Sequence, residues 1–522
     1  MAVYSFVALV LIVLGLVIWR SLISKPRRPA GTREIPGPKG LPWIGRVHDI
    51  PSEKTWMKFA EWSAKYGPIY QQTMMGIVHI WVSKEHMVLD ILAKQGSICS
   101  DRPAAFPNVP GTKDWKYLPL QGFHDTWRRQ RKFTHLIFGT AHENNYYDHQ
   151  TVEVPRTLVR LLQNPERWST HLDQHQARFL SRCAFGTPHH ASALCTNAWR
   201  LLINISPSGR FSNILPGCMR VPKCIAWWRV DEEDRQEKET RLYQNCQNEV
   251  REQWEKGQAP PCFTRTYLEH GHRFGFPTDI EAAFNVGMVS MAGIHTTSSP
   301  LHTFFLAMTL HPEWMTRLQK DIDALCGDRM PVLSDMSDLP IMRAIVKEGL
   351  RWRPAVPTGI PHELQDDCIY DGYFLPKGSW VHPMEWSLSR DPEVYPDPET
   401  FNPDRWLLPG YPTYKEPLTQ FPTLHGYHQF GFGRRICQGV NIVQTQTFCL
   451  LAAVAWGFDI KRKKDKLGQE LPIPVNDYHP LLITKPNPFQ FDLVPRSEMK
   501  RQQIMEAFVQ AQEKDQLLQK GE

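Results

Sequence analysis

The sequence predicts a mainly α-helical fold with a smaller β part, carried behind an apolar N-terminal segment. Long stretches keep apolar residues at helical spacing, as in Trp56, Phe59, Trp62 and Tyr66, and as in the run from Thr278 past Leu310. The β-like segments, Ile69–Met74 and Val78–Val82, are short and few. A hydrophobic fraction of 42% over 522 residues supports a large core. Six basic residues against Glu34 alone fall within residues 1–40, so with a total charge of +6 the rest of the chain is nearly neutral. That balance argues against nucleic acid as a partner. The eleven cysteines are scattered with no C-x-x-C pair, which fits thiols in a reducing compartment rather than a disulfide framework.

Residues 1–20 read as a transmembrane anchor. Val3–Trp19 is apolar apart from Tyr4, Ser5 and Gly15, and a span needs about 20 residues. A cleaved signal would want a positive start and a small-residue cleavage site, and neither is clear. The basic residues that follow predict a body facing the cytosol. Residues 21–45, with Pro26, Pro29, Pro36, Pro38 and Pro42, read as a stiff basic hinge. One folded domain is expected over 46–496, then a charged, Gln-rich and solvated helical tail over 497–522.

Within the domain, Ala104–Leu120 has no sustained period and reads as a long loop, of the kind that is usually functional. The basic stretch Thr126–Phe138 reads as a helix, with Trp127 and Arg131 on one face. The middle is helical with breaks at Pro207–Arg210 and Leu215–Lys223. Asn204-Ile205-Ser206 is a glycosylation sequon that cytosolic exposure would leave unmodified.

Thr278-Asp279-Ile280-Glu281 is a capping box that starts a helix of about nine turns. Its centre, Met291-Ala292-Gly293-Ile294-His295-Thr296-Thr297-Ser298, followed by Pro300, is a cluster of poor helix formers where a kink is expected. Glu348 and Arg351 share a helical face. Arg353–His362 reads as extended chain re-entering the core. Tyr373–Val381 suits an antiparallel hairpin, and Pro488–Pro495 a further β pair. Phe430-Gly431-Phe432-Gly433-Arg434-Arg435-Ile436-Cys437-Gln438-Gly439 presents one cysteine as a helix begins. The helix dipole and free N–H groups there are expected to lower the thiol pKa. Gly433 and Gly439 are expected to let the backbone lie against something flat.

The spacing F-x-x-G-x-R-x-C-x-G resembles the haem-ligand signature of the cytochrome P450 family, whose thiolate ligand favours O–O cleavage. In family order stand the proline hinge Ile35-Pro36-Gly37-Pro38, the Trp127–Arg131 pair, the oxygen-binding turn around Thr296, Glu348-x-x-Arg351, and Phe401-Asn402-Pro403-Asp404-Arg405-Trp406. The resemblance implies a P450 fold with haem b ligated by Cys437. Phe430 and Gly433 would stand at the haem, and Arg435, Trp127, Arg131 and His362 would bind its propionates. Thr296 would support oxygen activation, while Glu348, Arg351 and Arg405 would form a buried triad. It further implies a monooxygenase at the endoplasmic reticulum membrane, single-pass, acting on a small-molecule substrate with electrons from NADPH through NADPH-cytochrome P450 reductase. A haem-thiolate isomerase or dehydratase, or a non-catalytic haem-binding protein, are the other classes.

One position departs from the pattern. His295 stands where the family usually has an acid, and it is either a proton relay or a ring that fills space. Pro361-His362, Thr413–Leu418 and Lys485–Pro488 resemble fungal secondary-metabolism enzymes that hydroxylate small phenolic polyketides. Phe106, Trp115, Ile294, Val356 and Leu481 are the expected pocket residues.

Overall fold

Apolar residues at helical spacing set most elements. The computed structural model describes residues 28–42, 44–103, 115–143, 146–210 and 221–520, with Gly15 and Asn213. Gly15 apart, the expected anchor lies outside the described residues, as does Phe106. Helix α1 (Thr55–Tyr66) leads into strands β1 (Ile69–Met74) and β2 (Ile77–Val82). Then come α2 (Asp125–Glu143), α3 (Gln150–Gln163), α4 (Trp168–Phe185), α5 (Ala191–Ile205), α6 (Trp227–Glu255) and α7 (Phe263–His270). Helix α8 (Asp279–Leu310) is followed by α9 (Pro312–Cys326) and α10 (Pro340–Trp352). Strands β3 (His362–Glu363), β4 (Cys368–Tyr370), β5 (Tyr373–Leu375) and β6 (Trp380–Pro383) precede α11 (Val440–Gly457). Strands β7 (Phe458–Arg462) and β8 (Phe491–Pro495) and helix α12 (Glu498–Lys520) complete the order.

The mainly helical expectation holds, and the β pairing expected at Pro488–Pro495 is met by β8, with β7, a strand the sequence reading did not name, as its partner. The hairpin expected over Tyr373–Val381 does not form. β5 instead turns back on β4, while β6 joins a mixed sheet of order β1-β2-β6-β3. The reason is local: Asp371 and Gly372 both have positive φ, 47° and 74°. An Asp-Gly pair in that conformation makes a two-residue hairpin turn one strand earlier than expected.

Three apolar clusters build the interior. One gathers around α9, α10, α11 and the second half of α8, one lies between α4, α5, α6 and the first half of α8, and one backs the mixed sheet. They meet at the cysteine loop, since Val440 belongs to the first, Ile442 to the second and Phe432 to the third. Among the described residues the helix long and apolar enough to cross a membrane is α11, and it is a buried core helix. Every described cysteine is free. Asn204 is buried and donates to the Glu232 carboxylate, so the sequon offers no surface acceptor.

Beyond residue 497 the chain departs from the solvated tail that its composition predicts. Helix α12 packs along α3 with Ile504 and Ala511 buried. Its Asp515 accepts Arg156 Nη2 at 2.8 Å and Arg182 Nη2 at 2.7 Å. Arg182 is fully buried and also donates to Glu153 Oε1 at 2.7 Å, and Arg178 crowds the same carboxylate. Without Asp515 three guanidinium groups would share one acid. Asp515→Ala is therefore expected to cost about 3 kcal/mol, the lower end for removing one partner of a buried charge pair. Urea unfolding of the variant and of a chain ending at 497 checks this; parent midpoints in both would make the helix dispensable.

Candidate active site

Two short 3-10 turns, His428–Phe430 and Gly433–Arg435, fold the loop ahead of α11. The Cys437 N–H donates to the Phe430 carbonyl at 2.6 Å and closes it. Phe430 itself is half-buried against the first apolar cluster. Gly433 has φ +56°, and a Cβ there would lie 2.7 Å from the Leu92 carbonyl oxygen and 3.0 Å from Ala93 Cα. Its glycine thus serves a close backbone crossing, not room for a flat group as the sequence predicts. Gly439 is the one beside the sulfur: its N–H reaches Cys437 Sγ at 3.4 Å. Cys437 keeps accessible surface in a neighbourhood dense with protein. Burial raises its thiol pKa, against the lowering expected from the helix terminus, and the Gly439 N–H and Arg131 offset only part of that rise. A thiol held this way loses its proton outright once a metal cation coordinates the sulfur.

Above the loop, guanidinium groups converge. Arg131 and Trp127 share one face of α2, as the spacing predicts, and Arg131 donates to the Ile436 carbonyl inside the cysteine loop. Arg435 lies over the Trp127 ring at 4.3 Å from its centre. Its Nε donates to the Ser100 carbonyl at 2.8 Å, while both terminal nitrogens are buried with no protein partner. The third member is Arg102, anchored to the Pro361 carbonyl at 2.6 Å and the Pro119 carbonyl at 3.2 Å. Burial, then Arg102, pushes the Arg435 pKa down to about 8. Burial, then Arg131, pushes Arg102 down to about 9. His362 joins this cluster with Nδ1 on the Cys99 carbonyl at 2.7 Å, and burial, then Arg102, holds its pKa well below the usual range.

Guanidinium groups that destabilise one another's charge, with two open donors at the centre, gain from a bound anion with more than one carboxylate. The two carboxylates of a haem meet that need, and the Cys437 sulfur offers a thiolate ligand from the loop below. The residues present therefore fit haem. Arg102 escaped the sequence reading because it lies in extended chain, where no helical period shows which way a side chain faces.

Helix α8 keeps its expected start: Thr278 Oγ1 accepts the Glu281 N–H at 3.3 Å. The capping box closes only halfway, because Arg129 of α2 takes the Glu281 carboxylate with two bonds of 2.9 Å. The opened turn expected at its centre is absent. Thr296 Oγ1 donates back to the Ala292 carbonyl at 2.8 Å and the helix runs on unbroken. Pro300 still removes the N–H that would reach the Thr296 carbonyl. From Glu281 to Thr309 every residue is buried except Val289, Ala292, Gly293 and Thr296. That i, i+3, i+4, i+7 spacing is one helix face bordering internal space.

His295 sits about 100° around the helix from Thr296. Its ring stands edge-on to Trp199 of α5, with centres 5.5 Å apart, and burial pushes its pKa down to about 4. Of the expected pocket residues, Ile294 and Leu481 belong to the second apolar cluster and Trp115 packs against it. Val356 is half-buried.

Glu348 and Arg351 are both fully buried. Arg351 grips the carboxylate with Nε and Nη2, each at 2.8 Å. Arg405 Nε follows at 3.3 Å, Trp406 Nε1 at 3.1 Å and the Asn402 N–H at 2.9 Å. Arg351 also holds the Pro398 and Thr400 carbonyls at 2.7 and 3.0 Å. This cluster ties α10 to the irregular chain ahead of the cysteine loop.

A family profile described as Cytochrome P450 matches residues 35–493. The cytochrome P450 monooxygenase virE of Hypocrea virens is 31% identical over 493 residues, 93% of this chain and 89% of that one. The cytochrome P450 monooxygenase claR of Ampulloclitocybe clavipes is 32% identical over 485 residues, 88% of this chain and 86% of its own. A solved zebra fish cytochrome P450 with abiraterone has the same fold, with a TM-score of 0.67 at 20% identity over 85% of this chain and 100% of that chain. The chain belongs to the cytochrome P450 family, and the expected enzyme class, a P450 monooxygenase, stands. Membership implies a haem cofactor and electrons supplied by a reductase.

Proposed function

We propose that this chain is a haem-thiolate monooxygenase of fungal secondary metabolism acting on a small apolar or aromatic substrate, with phenolic polyketides as the class its sequence resembles. The observation that carries the haem assignment is the accessible Cys437 in a loop that Arg131 grips, next to the buried Arg102 and Arg435, with two unpartnered donors on Arg435. Haem b, when bound through Cys437, supplies the chemistry that puts one atom of O2 into substrate and the other into water, using two electrons from NADPH through NADPH-cytochrome P450 reductase. The chain's own residues do the rest. Arg435, Arg102 and Arg131 hold the carboxylates, Trp127 backs the Arg435 guanidinium, and His362 braces the Cys99 carbonyl beside them. Phe430 and Gly433 keep the loop in shape by packing and by close backbone approach.

Thr296 handles protons. Its O–H is committed to the Ala292 carbonyl, so its lone pairs face the internal space and accept a hydrogen bond from water. His295 is read as a ring that fills space rather than a proton relay, because it turns toward Trp199, off the Thr296 face, and stays neutral near pH 7. Residues 1–20 anchor the enzyme in the endoplasmic reticulum membrane, 21–45 form the hinge, and the catalytic domain over 46–496 faces the cytosol with α12 docked on it. Relatives named as monooxygenases and the presence of Thr296 favour this reading over an isomerase or dehydratase.

Metabolite mass spectrometry of cells with and without the chain identifies the substrate. With that substrate and reductase, product is expected to form only with NADPH and O2. Thr296→Ala is expected to lower the ratio of product to NADPH consumed by about 10²-fold, the lower end for a proton-transfer group. Turnover without NADPH would make the chain an isomerase or dehydratase, and an unchanged ratio would remove Thr296 from proton handling.

A further inference from the structure

The pattern that carries the family resemblance begins at Phe430 and leaves unexplained the two polar residues just ahead of it. His428 is buried, and its Nδ1 shares a hydrogen bond of 2.6 Å with Glu385 Oε2. Glu385 is buried as well, at the start of a short helix, Glu385–Leu388, that follows β6. On the other side of the ring the hydroxyl of the buried Tyr395 stands 3.3 Å from Nε2. Gln429 Nε2 donates to the Leu350 carbonyl of α10 at 2.7 Å and to Ser389 Oγ at 3.0 Å. Both side chains thus fasten the loop to segments distant in the chain. The Glu348 cluster does not do this work: beyond α10, the bonds of Glu348 and Arg351 end at residues 389–406, short of the loop.

The backbone carries the anchor to the cysteine in few steps. The His428 carbonyl accepts the Gly431 N–H at 2.9 Å, and the Phe430 N–H donates to the Tyr427 carbonyl at 3.0 Å. Those two bonds fold the first turn of the loop and aim the Phe430 carbonyl, which takes the Cys437 N–H. A buried pair such as Glu385 and His428 adds little net stability over apolar side chains of the same size, because both groups give up water. What it holds is one geometry, since a hydrogen bond weakens steeply once its length or angle departs from the optimum. Groups that orient a metal ligand from behind it typically change metal affinity or activity by about 10–100-fold when removed.

We propose that His428 and Glu385 are positioning residues for the haem ligand: their hydrogen bond sets the first turn of the cysteine loop and, through the Phe430 carbonyl, keeps the Cys437 sulfur where it binds iron as a thiolate. This rests on Cys437 as the ligand and goes beyond it, to residues outside the loop's own pattern.

The full-length enzyme and its variants are reduced under carbon monoxide, and the thiolate band is measured per haem bound. Amide exchange of the loop is read on the same proteins by mass spectrometry. His428→Phe removes the bond, and the ratio of thiolate to other haem is expected to fall about tenfold, with faster exchange in the loop. Glu385→Met breaks the same bond from outside the loop and is expected to match it; it decides where His428→Phe takes up no haem. Asparagine places an amide where Nδ1 stands, so His428→Asn is expected to recover most of the band. A parent ratio with parent exchange in either breaking variant would overturn the pair. So would His428→Asn as poor as His428→Phe, which would make the ring a matter of packing and stability alone. A parent enzyme without the thiolate band would instead sink Cys437 as the ligand, and loop exchange would then judge the pair by itself.

Discussion

Cys437→Ala is expected to lose the long-wavelength band that the reduced, carbon monoxide-bound haem-thiolate state shows, and with it all monooxygenation. Among the described residues no group of three or more His, Cys, Asp or Glu side chains could hold a metal. Cys437 is also the one sulfur set in the closed loop, with the Gly439 N–H at 3.4 Å to support a thiolate. The arginine cluster would still favour the carboxylates, so the variant is expected to take up some haem without the thiolate spectrum. A difference spectrum of the reduced protein with carbon monoxide reads this directly. Persistence of the thiolate band in Cys437→Ala would place the iron on another residue.

Glu348→Ala is expected to be the most damaging substitution away from the haem. Glu348 accepts from Arg351, Arg405, Trp406 and the Asn402 backbone, all out of water. Removing it leaves two buried guanidinium groups uncompensated, a loss of about 3–5 kcal/mol. Native domains are stable by only about 5–15 kcal/mol, so the variant should accumulate poorly and carry little haem. Glu348→Gln keeps an acceptor but not the charge and should fall between. Unfolding midpoints and the ratio of haem to protein measure both effects. Parent values for Glu348→Ala would mean that the arginines are satisfied by the Pro398, Thr400 and Asp397 carbonyls alone.

Much of the site was legible because its chemistry is written in short spacings. Thr278 caps α8, Trp127 and Arg131 share a helix face, Glu348 and Arg351 sit one turn apart, and Cys437 follows its glycines at the start of α11. Such relations depend on backbone geometry within a few residues, and they carry through to the structure. The same holds for β1, β2 and β8, whose strands alternate or run apolar between turn residues.

What only the tertiary structure decided depends on distances between segments far apart in the chain. Arg102 joins Arg435 and Arg131 through folding alone, and their mutual repulsion is what makes the place favour an anion. The helix terminus alone would lower the Cys437 pKa, but desolvation, which no spacing encodes, wins and raises it. Arg129 takes Glu281 from its capping box because α2 happens to cross there. The tail becomes a docked helix because Asp515 meets a buried Arg182 on α4. His295 faces Trp199 and His479 for the same reason: a helix position is set by sequence, but its neighbours are set by which helices pack against it. Local geometry is a property of the chain, whereas burial and charge pairing are properties of the packed whole.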